Sequence, residues 1–291
     1  MDTLYGKQFE DNILLGAQQL EAKFREKCEV KSGVKGKSKA FGFVDASEAR
    51  EKTVRHEDTI RDDPTNNRVT AYLHYDYKSI MVDPDDELKV IADFKSSYVQ
   101  TTLAALRRKM DDRLIAAATA TKYTGENGTT ETIWNTAYNV AADGTYVVTL
   151  AQLLGALELL NNGDVDENEE KFMAVSPKVL SGLLNITKLT SADFQTLQAL
   201  VPGKISNPVL GFRFMVSSRL GGVSTARPVL AWAKSGLGLA IGQDIKTRVD
   251  EVQDKHYAWS TYASMFIGAT RIDDKKVVRI ICDESKSIAS Q

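Results

Sequence analysis

The sequence predicts an α+β chain, and three observations carry that reading. One helical pattern, between residues 82 and 120, runs far longer than the helices of globular proteins usually do. One segment, from Ser32 to about Asn67, is rich in charge and glycine and poor in large apolar groups. Strand-like stretches gather mainly beyond Lys122, interrupted by short helices.

The chain has 291 residues, enough for one large domain or two small ones, and 43% of them are hydrophobic, an ordinary globular share. Its formal net charge of -2 argues against a dedicated nucleic-acid binder, which needs a strongly cationic face. No apolar run is long enough to span a membrane. The opening "MDTLYGKQFEDNILLGAQQLEAKF" carries acidic residues and no cleavage-type apolar region, so it does not read as a signal peptide, and synthesis in a cytosol is expected. Cys28 and Cys282 lie far apart and are expected as reduced, buried thiols.

Taken in order, residues 7 to 29 predict an amphipathic helix, with Phe9, Ile13, Leu14, Ala17, Leu20 and Phe24 on its apolar side. In the charged segment, short alternating pieces around Phe41 to Val44 and around Thr53 could be strands, but neither is expected to carry a core. A loop of this length within a compact domain is uncommon and usually functional. "RVTAYLHYDYKSIMV" alternates and predicts one half-buried strand, with Val69, Ala71, Leu73, Tyr75 and Tyr77 on one side. The long helix follows. Asp83 is a good N-cap and Pro84 suits the first helical position. Leu88, Ile91, Val99, Leu103, Leu106, Met110, Leu114 and Ala117 form its apolar line, and its length is about 50 Å at 1.5 Å per residue. The alternative is a break at Lys95-Ser96-Ser97 into two ordinary helices. Beyond it, Thr149 caps a helix that Gly163 ends, "KFMAVSP" is a strand, and short helices fall at Lys178 to Leu184 and near Ala192 to Leu200. "LGFRFMVSSRL", "RPVLAWA" and "GLGLAIG" are strands, and the end of the chain reads as a hairpin turning at Asp273-Asp274.

Motifs that carry chemistry are scarce. Gly36-Lys37-Ser38 resembles the end of a phosphate loop, but Lys31 stands where the first glycine belongs and a helix precedes it, so a flexible lysine-rich segment is expected instead. Gly236, Gly238 and Gly242 are spaced too widely for a dinucleotide fingerprint. They are expected on the far side of a strand from Leu237, Leu239 and Ile241. His74 and Asp76 share a strand face and could be two metal ligands, with no third evident; His56 and His256 have no such company. Asp111 and Asp112 are expected to pair along the helix with Arg107 and Arg108, four residues earlier. The acidic stretch 164 to 170 reads as a solvated loop. No catalytic, cofactor-binding or metal residues are therefore assigned. The strongest charge feature lies in the long loop, where basic residues alternate with Asp45, Glu48, Glu51, Glu57 and Asp58. Such mixed charge suits contact with neighbouring subunits better than contact with a phosphate backbone. The candidate contact residues are Lys35, Lys37, Lys39, Glu48, Arg50, Arg55, Glu57, Asp58 and Arg61; the alternative is a loop that touches nothing.

This order of elements, with "RHEDTIRDDPTNNRVTAYLHYDYKSIMVDPDDELKVIADFKSSYVQTTLAALRRKMDDRLIAAATA" and the closing "MFIGATRIDDKKVVRI", resembles the major capsid protein of tailed bacteriophages, the Hong Kong 97-type capsid fold. The likeness rests on Asp58-Thr59, the D-x-x-D of Asp83 and Asp86, and the A-L-R-R-x-x-D run from Ala105 to Asp111. It implies an N-terminal arm (1–32), an extended loop with its returning strand (33–82), and a peripheral domain from 83–130 and 260–285 whose spine helix is 83–121. An axial domain (131–259) and a tail (286–291) complete it. It further implies a structural, non-enzymatic subunit without cofactor, assembling through hexamers and pentamers into an icosahedral head in the bacterial cytoplasm. Its implied partners are further copies of itself, a separate scaffolding protein, a portal protein, decoration proteins, and packaged double-stranded DNA touched without sequence preference. No local motif identifies the lysine, asparagine and glutamate of the covalent cross-linking seen in some relatives. Two alternatives stay open at this stage: an encapsulin-like nanocompartment shell with a protein cargo, and a soluble α+β ligand-binding protein or enzyme.

Overall fold

A strand buried along its whole length, Lys171–Val175, contributes side chains to both of the molecule's main cores. The computed structural model describes residues 17–56, 58–59, 61, 63–83, 94–186 and 210–288. In chain order its elements are β1 Glu29–Ser32, β2 Ser38–Val44, β3 Asn66–Tyr72, β4 His74–Val82, α1 Phe94–Thr119, β5 Lys122–Thr124, β6 Thr130–Thr132 and β7 Asn139–Val140. There follow α2 Leu150–Asn162, β8 Lys171–Val175, α3 Pro177–Leu184, β9 Phe212–Val216, β10 Arg227–Ala233, β11 Leu237–Val252, β12 Ala258–Arg271 and β13 Val277–Cys282. The strands form three sheets, ordered β1-β11-β12-β4, β7-β13-β10-β8-β9 and β2-β3-β5-β6.

The five-stranded sheet is a wall shared by two cores. Met173, Val175, Val229, Ala231, Val278 and Ile280 face one way, onto Leu153, Ala156 and Leu160 of α2 and Val179 and Leu183 of α3. Phe172, Ala174, Leu230, Trp232 and Val277 face the other way, onto Leu106, Met110, Leu114 and Ala118 of α1 and onto Leu239, Ile241, Met265 and Ile267 of the first sheet. A strand covered on both faces has no wet side, which is why "KFMAV" is continuously apolar after its lysine. Helix starts follow local chemistry. Thr149 and Gln152 make a reciprocal capping box at α2, and Ser176 caps α3 with Pro177 in its first turn.

Helix α1 is continuous from Phe94 to Thr119, while residues 84–93, on which the choice between one helix and two depends, lie outside the described residues. Twenty-six residues give it a length of about 39 Å. The expected start at Pro84, with Leu88 and Ile91, lies outside the described residues, as does the helix near Ala192 to Leu200. Its far end is closed by Arg271, fully buried, whose Nη1 donates to the carbonyls of Ala118 and Ala120 at 3.0 and 2.9 Å. Asp274 balances that cation at 2.5 Å and also meets Lys122 at 2.8 Å, while the Trp134 ring covers the guanidinium.

Four expectations are corrected. Of the helix expected over residues 7 to 29, residues 7–16 lie outside the described residues and residues 17–29 are not helical. Apart from one short turn at Arg25–Lys27 the latter run irregularly into β1, because their backbone groups bond largely to side chains of α1. The stretch around Phe41 does carry a core, since Phe41 packs with Ala71, Leu73, Ala240 and Ile272; the piece around Thr53 is not a strand. The alternating run 68–82 is two strands that part at Leu73 and join different sheets, so Val69, Ala71 and Leu73 are buried while Tyr75 and Tyr77 are exposed. Finally, β12 and β13 do not pair: the corner at Asp273-Asp274 carries the chain from the first sheet to the second. The true hairpin is β11–β12.

Candidate assembly surface

The charged segment is built on a hairpin with a fixed base. Gly33 (φ +70°) and Gly36 (φ +102°) turn the chain from β1 into β2 in a left-handed conformation that glycine adopts without strain. β2 pairs with β3 from Ser38–Tyr72 to Val44–Asn66, and the amide of Leu73 donates to the Lys37 carbonyl at 2.8 Å. The base rests on a bed of glycines. A Cβ at Gly268 would stand 2.4 Å from the Tyr72 carbonyl oxygen, one at Gly238 2.9 Å from the Phe41 ring, and one at Gly242 2.9 Å from Leu73. Gly238 and Gly242 thus face away from Leu239 and Ile241, as expected, and their smallness admits the hairpin. Sequence reasoning missed that purpose; its trace is glycine at alternate positions with Leu, Ala and Ile.

Past Leu73 the chain is locked to the long helix. Arg113 donates to both oxygens of Asp76, at 2.6 and 2.7 Å. Asp76 is therefore engaged by a cation and is not half of a ligand pair with the exposed His74. Among the described residues no group of three His, Cys, Asp or Glu could hold a metal. On the other side of β4, Tyr77 stacks on Tyr262 with centroids 6.0 Å apart, and the Tyr75 and Tyr262 hydroxyls meet at 2.8 Å. Tyr75 and Tyr77 are exposed on the nine-residue edge strand β4 and, with the half-buried Tyr262, make an aromatic patch.

Beyond β2 the chain passes through a neck. The Asp45 amide donates to the Thr65 carbonyl at 3.0 Å, and Asn67 donates to the Asp45 carboxylate at 2.6 Å. Every described residue between Asp45 and Thr65 is exposed. Of the candidate contact residues, Lys35, Lys37 and Lys39 are exposed at the hairpin base, and Glu48, Arg50, Arg55, Asp58 and Arg61 are exposed past the neck; Glu57 lies outside the described residues. They form two groups along one element rather than one cluster. Lys31 is different: it pairs with Glu29 and lies over the Phe41 ring, so its charge serves the base.

Several titratable groups elsewhere are engaged in structural contacts. Asp111 and Asp112 do not pair with Arg107 and Arg108. Asp111 is fully buried and accepts the amides of Lys23 and Phe24 and the side chain of Gln19, whereas Asp112 holds Arg219 at 2.6 and 2.5 Å. Burial outweighs those hydrogen bonds and pushes the Asp111 carboxyl above the usual range. The two arginines instead bond the carbonyls of Leu20 and Gln19, a competitor that the four-residue spacing cannot reveal. The acidic stretch is only partly solvated: Glu169 accepts the Ser235 amide, and Glu170 meets Arg213 and Lys234. Burial raises both thiols, Cys28 and Cys282, to about 12, so neither is a nucleophile at neutral pH.

Comparison with known proteins agrees with this geometry. The chain is similar to the solved capsid of the cyanophage P-SCSP1u, with a TM-score of 0.73 and 18% identity over 96% of this chain and 93% of that one. It is similar to a chain of Mycobacterium phage Che8 (TM-score 0.68, 17% identity, 99% and 100% covered). It is also similar to the capsid of a native GTA particle (TM-score 0.71, 14% identity, 96% and 95% covered). At such identities the likeness establishes the fold, which is the phage capsid fold. Among curated proteins none matches. The family model described as phage capsid protein matches residues 1–284, nearly the whole chain, and the protein belongs to that family.

Proposed function

We propose that this chain is the major capsid subunit of a tailed phage, copies of which assemble through hexamers and pentamers into an icosahedral head around double-stranded DNA. Its place is the virion and its role is structural, without catalysis. The observation that carries this reading is the projecting loop: a neck closed by Asp45, Thr65 and Asn67, and beyond it a described stretch that is exposed throughout. A segment of this length whose described residues are exposed throughout is suited to lie on a neighbour. Its alternating Glu48, Arg50, Arg55, Asp58 and Arg61 would meet complementary charges there, and Lys35, Lys37 and Lys39 would do so at the base. The lobe of α1 and the first sheet is read as the peripheral domain, and the lobe of α2, α3 and the five-stranded sheet as the axial domain that meets its copies around the symmetry axes. A scaffolding protein, a portal and decoration proteins are the further partners that such an assembly takes.

The test replaces residues 47–63 with a short Gly-Ser turn, leaving Asp45, Thr65 and Asn67 to close the neck. The altered subunit is expected to keep its melting temperature within a few degrees, since none of the segment's described residues is buried, and to form no shells. Shells of normal yield from it would sink the role given to the loop.

A further inference from the structure

We propose that residues 18–28 form a strap that lifts off α1 as a separate unit, with Asp111 as the pin that holds it down. The strap's backbone is served mainly by side chains of α1. Its own main-chain bonding is one turn, from the Lys27 amide to the Phe24 carbonyl at 3.0 Å, and it has side ties from Arg25 to Asp244 of β11 and from Lys23 Nζ to the Val216 carbonyl of β9. Asp111 Oδ2 accepts from the Lys23 amide and from Gln19 Nε2, and Oδ1 accepts from the Phe24 amide. Arg107 and Arg108, one turn earlier, donate to the Leu20 and Gln19 carbonyls. Three donors from the strap thus converge on one fully buried carboxylate, and two cations hold the carbonyls beside them. Where the strap meets the wall, Phe24 stacks on Trp232 and the Trp232 indole donates to the Lys27 carbonyl. Releasing the pin strands no main-chain ladder, because the first regular pairing begins only at Glu29 in β1. The wall and α1 keep their remaining contacts in either state, which makes the strap a low-stability element on a stable body.

The strap carries its own reporter. Cys28 is buried at its end, in the core it shares with α1, whereas Cys282 is buried in the other core, behind the wall. Global unfolding exposes both thiols together, and local release exposes Cys28 alone. The experiment is alkylation of the native full-length subunit with iodoacetamide, read for each cysteine by mass spectrometry. Cys28 is expected to react faster than Cys282 in the unaltered chain. Asp111→Asn keeps the size but offers one acceptor oxygen to three donors, so it is expected to speed Cys28 about 10- to 100-fold and to leave Cys282 unchanged. Equal rates at the two cysteines, or an Asp111→Asn effect that is absent or shared by Cys282, overturns the proposal. Should that variant not fold, hydrogen exchange of the unaltered chain decides: the Lys23 and Phe24 amides are expected to exchange well before those of β10, and simultaneous exchange contradicts a separate strap.

Discussion

Asp274 shows what a single carboxylate does in this fold. Burial opposes its charge, but hydrogen bonds from Lys122 and Arg271 outweigh burial and hold its carboxyl below the usual range. A carboxyl whose folded value is depressed contributes stability above its unfolded value, near 4, and loses it as pH falls through the folded value. Acid should therefore weaken the subunit partly through this site. Asp274→Asn leaves Arg271 fully buried without its counter-charge and should cost about 3–5 kcal/mol in urea unfolding at pH 7. The same variant should show a shallower loss of stability below pH 4 than the unaltered chain; parallel pH curves would remove Asp274 from the account. None of this was legible in the sequence, where Asp273-Asp274 reads as a hairpin turn. Nothing in local spacing announces that Arg271 reaches the end of a helix some 150 positions earlier.

Elements were legible where their own chemistry decides them. Helix α2 begins at Thr149, the cap expected from the sequence, and α3 begins at Ser176-Pro177, one residue before the expected start at Lys178. The long helix was legible as an unbroken apolar line, and Leu103→Pro should cost about 3 kcal/mol or more in its interior; an unchanged denaturation curve would mean that no helix is there. Met110, fully buried on its core face, should cost about 2–5 kcal/mol when cut to alanine. Failures came where pairing over long range overrides pattern. The apolar periodicity of residues 7 to 29 describes a helix, but over the described part, 17–29, Asp111, Arg107 and Arg108 offer the strap's backbone better partners. The run 68–82 alternates as one strand, yet Leu73 divides it between two sheets. Gly268 marks the divide: its replacement by alanine puts a methyl group 2.4 Å from the Tyr72 carbonyl and should cost about 1–3 kcal/mol in thermal or urea unfolding. A neutral outcome would mean that the hairpin base is not seated as described.

At the scale of the molecule, two cores share one wall, so parting the two lobes would expose Phe172, Ala174, Leu230, Trp232 and Val277 on one face of that wall. A rigid body of this kind, with a charged loop held out on a narrow neck, fits a subunit whose partners are further copies of itself. The sequence disclosed that plan through the order of its elements, and it located the exposed loop by composition alone. It did not disclose the glycine bed under the hairpin, because glycine in a strand has several uses and only the partner's position selects one. The central claim is self-assembly into a closed shell, and electron microscopy of the purified protein, co-expressed with the scaffolding protein proposed for it, tests it most directly. Closed shells, or rings of five and six subunits, are the expected result, with nucleic acid rather than a protein cargo inside filled particles. A monodisperse monomer under those conditions would contradict the account.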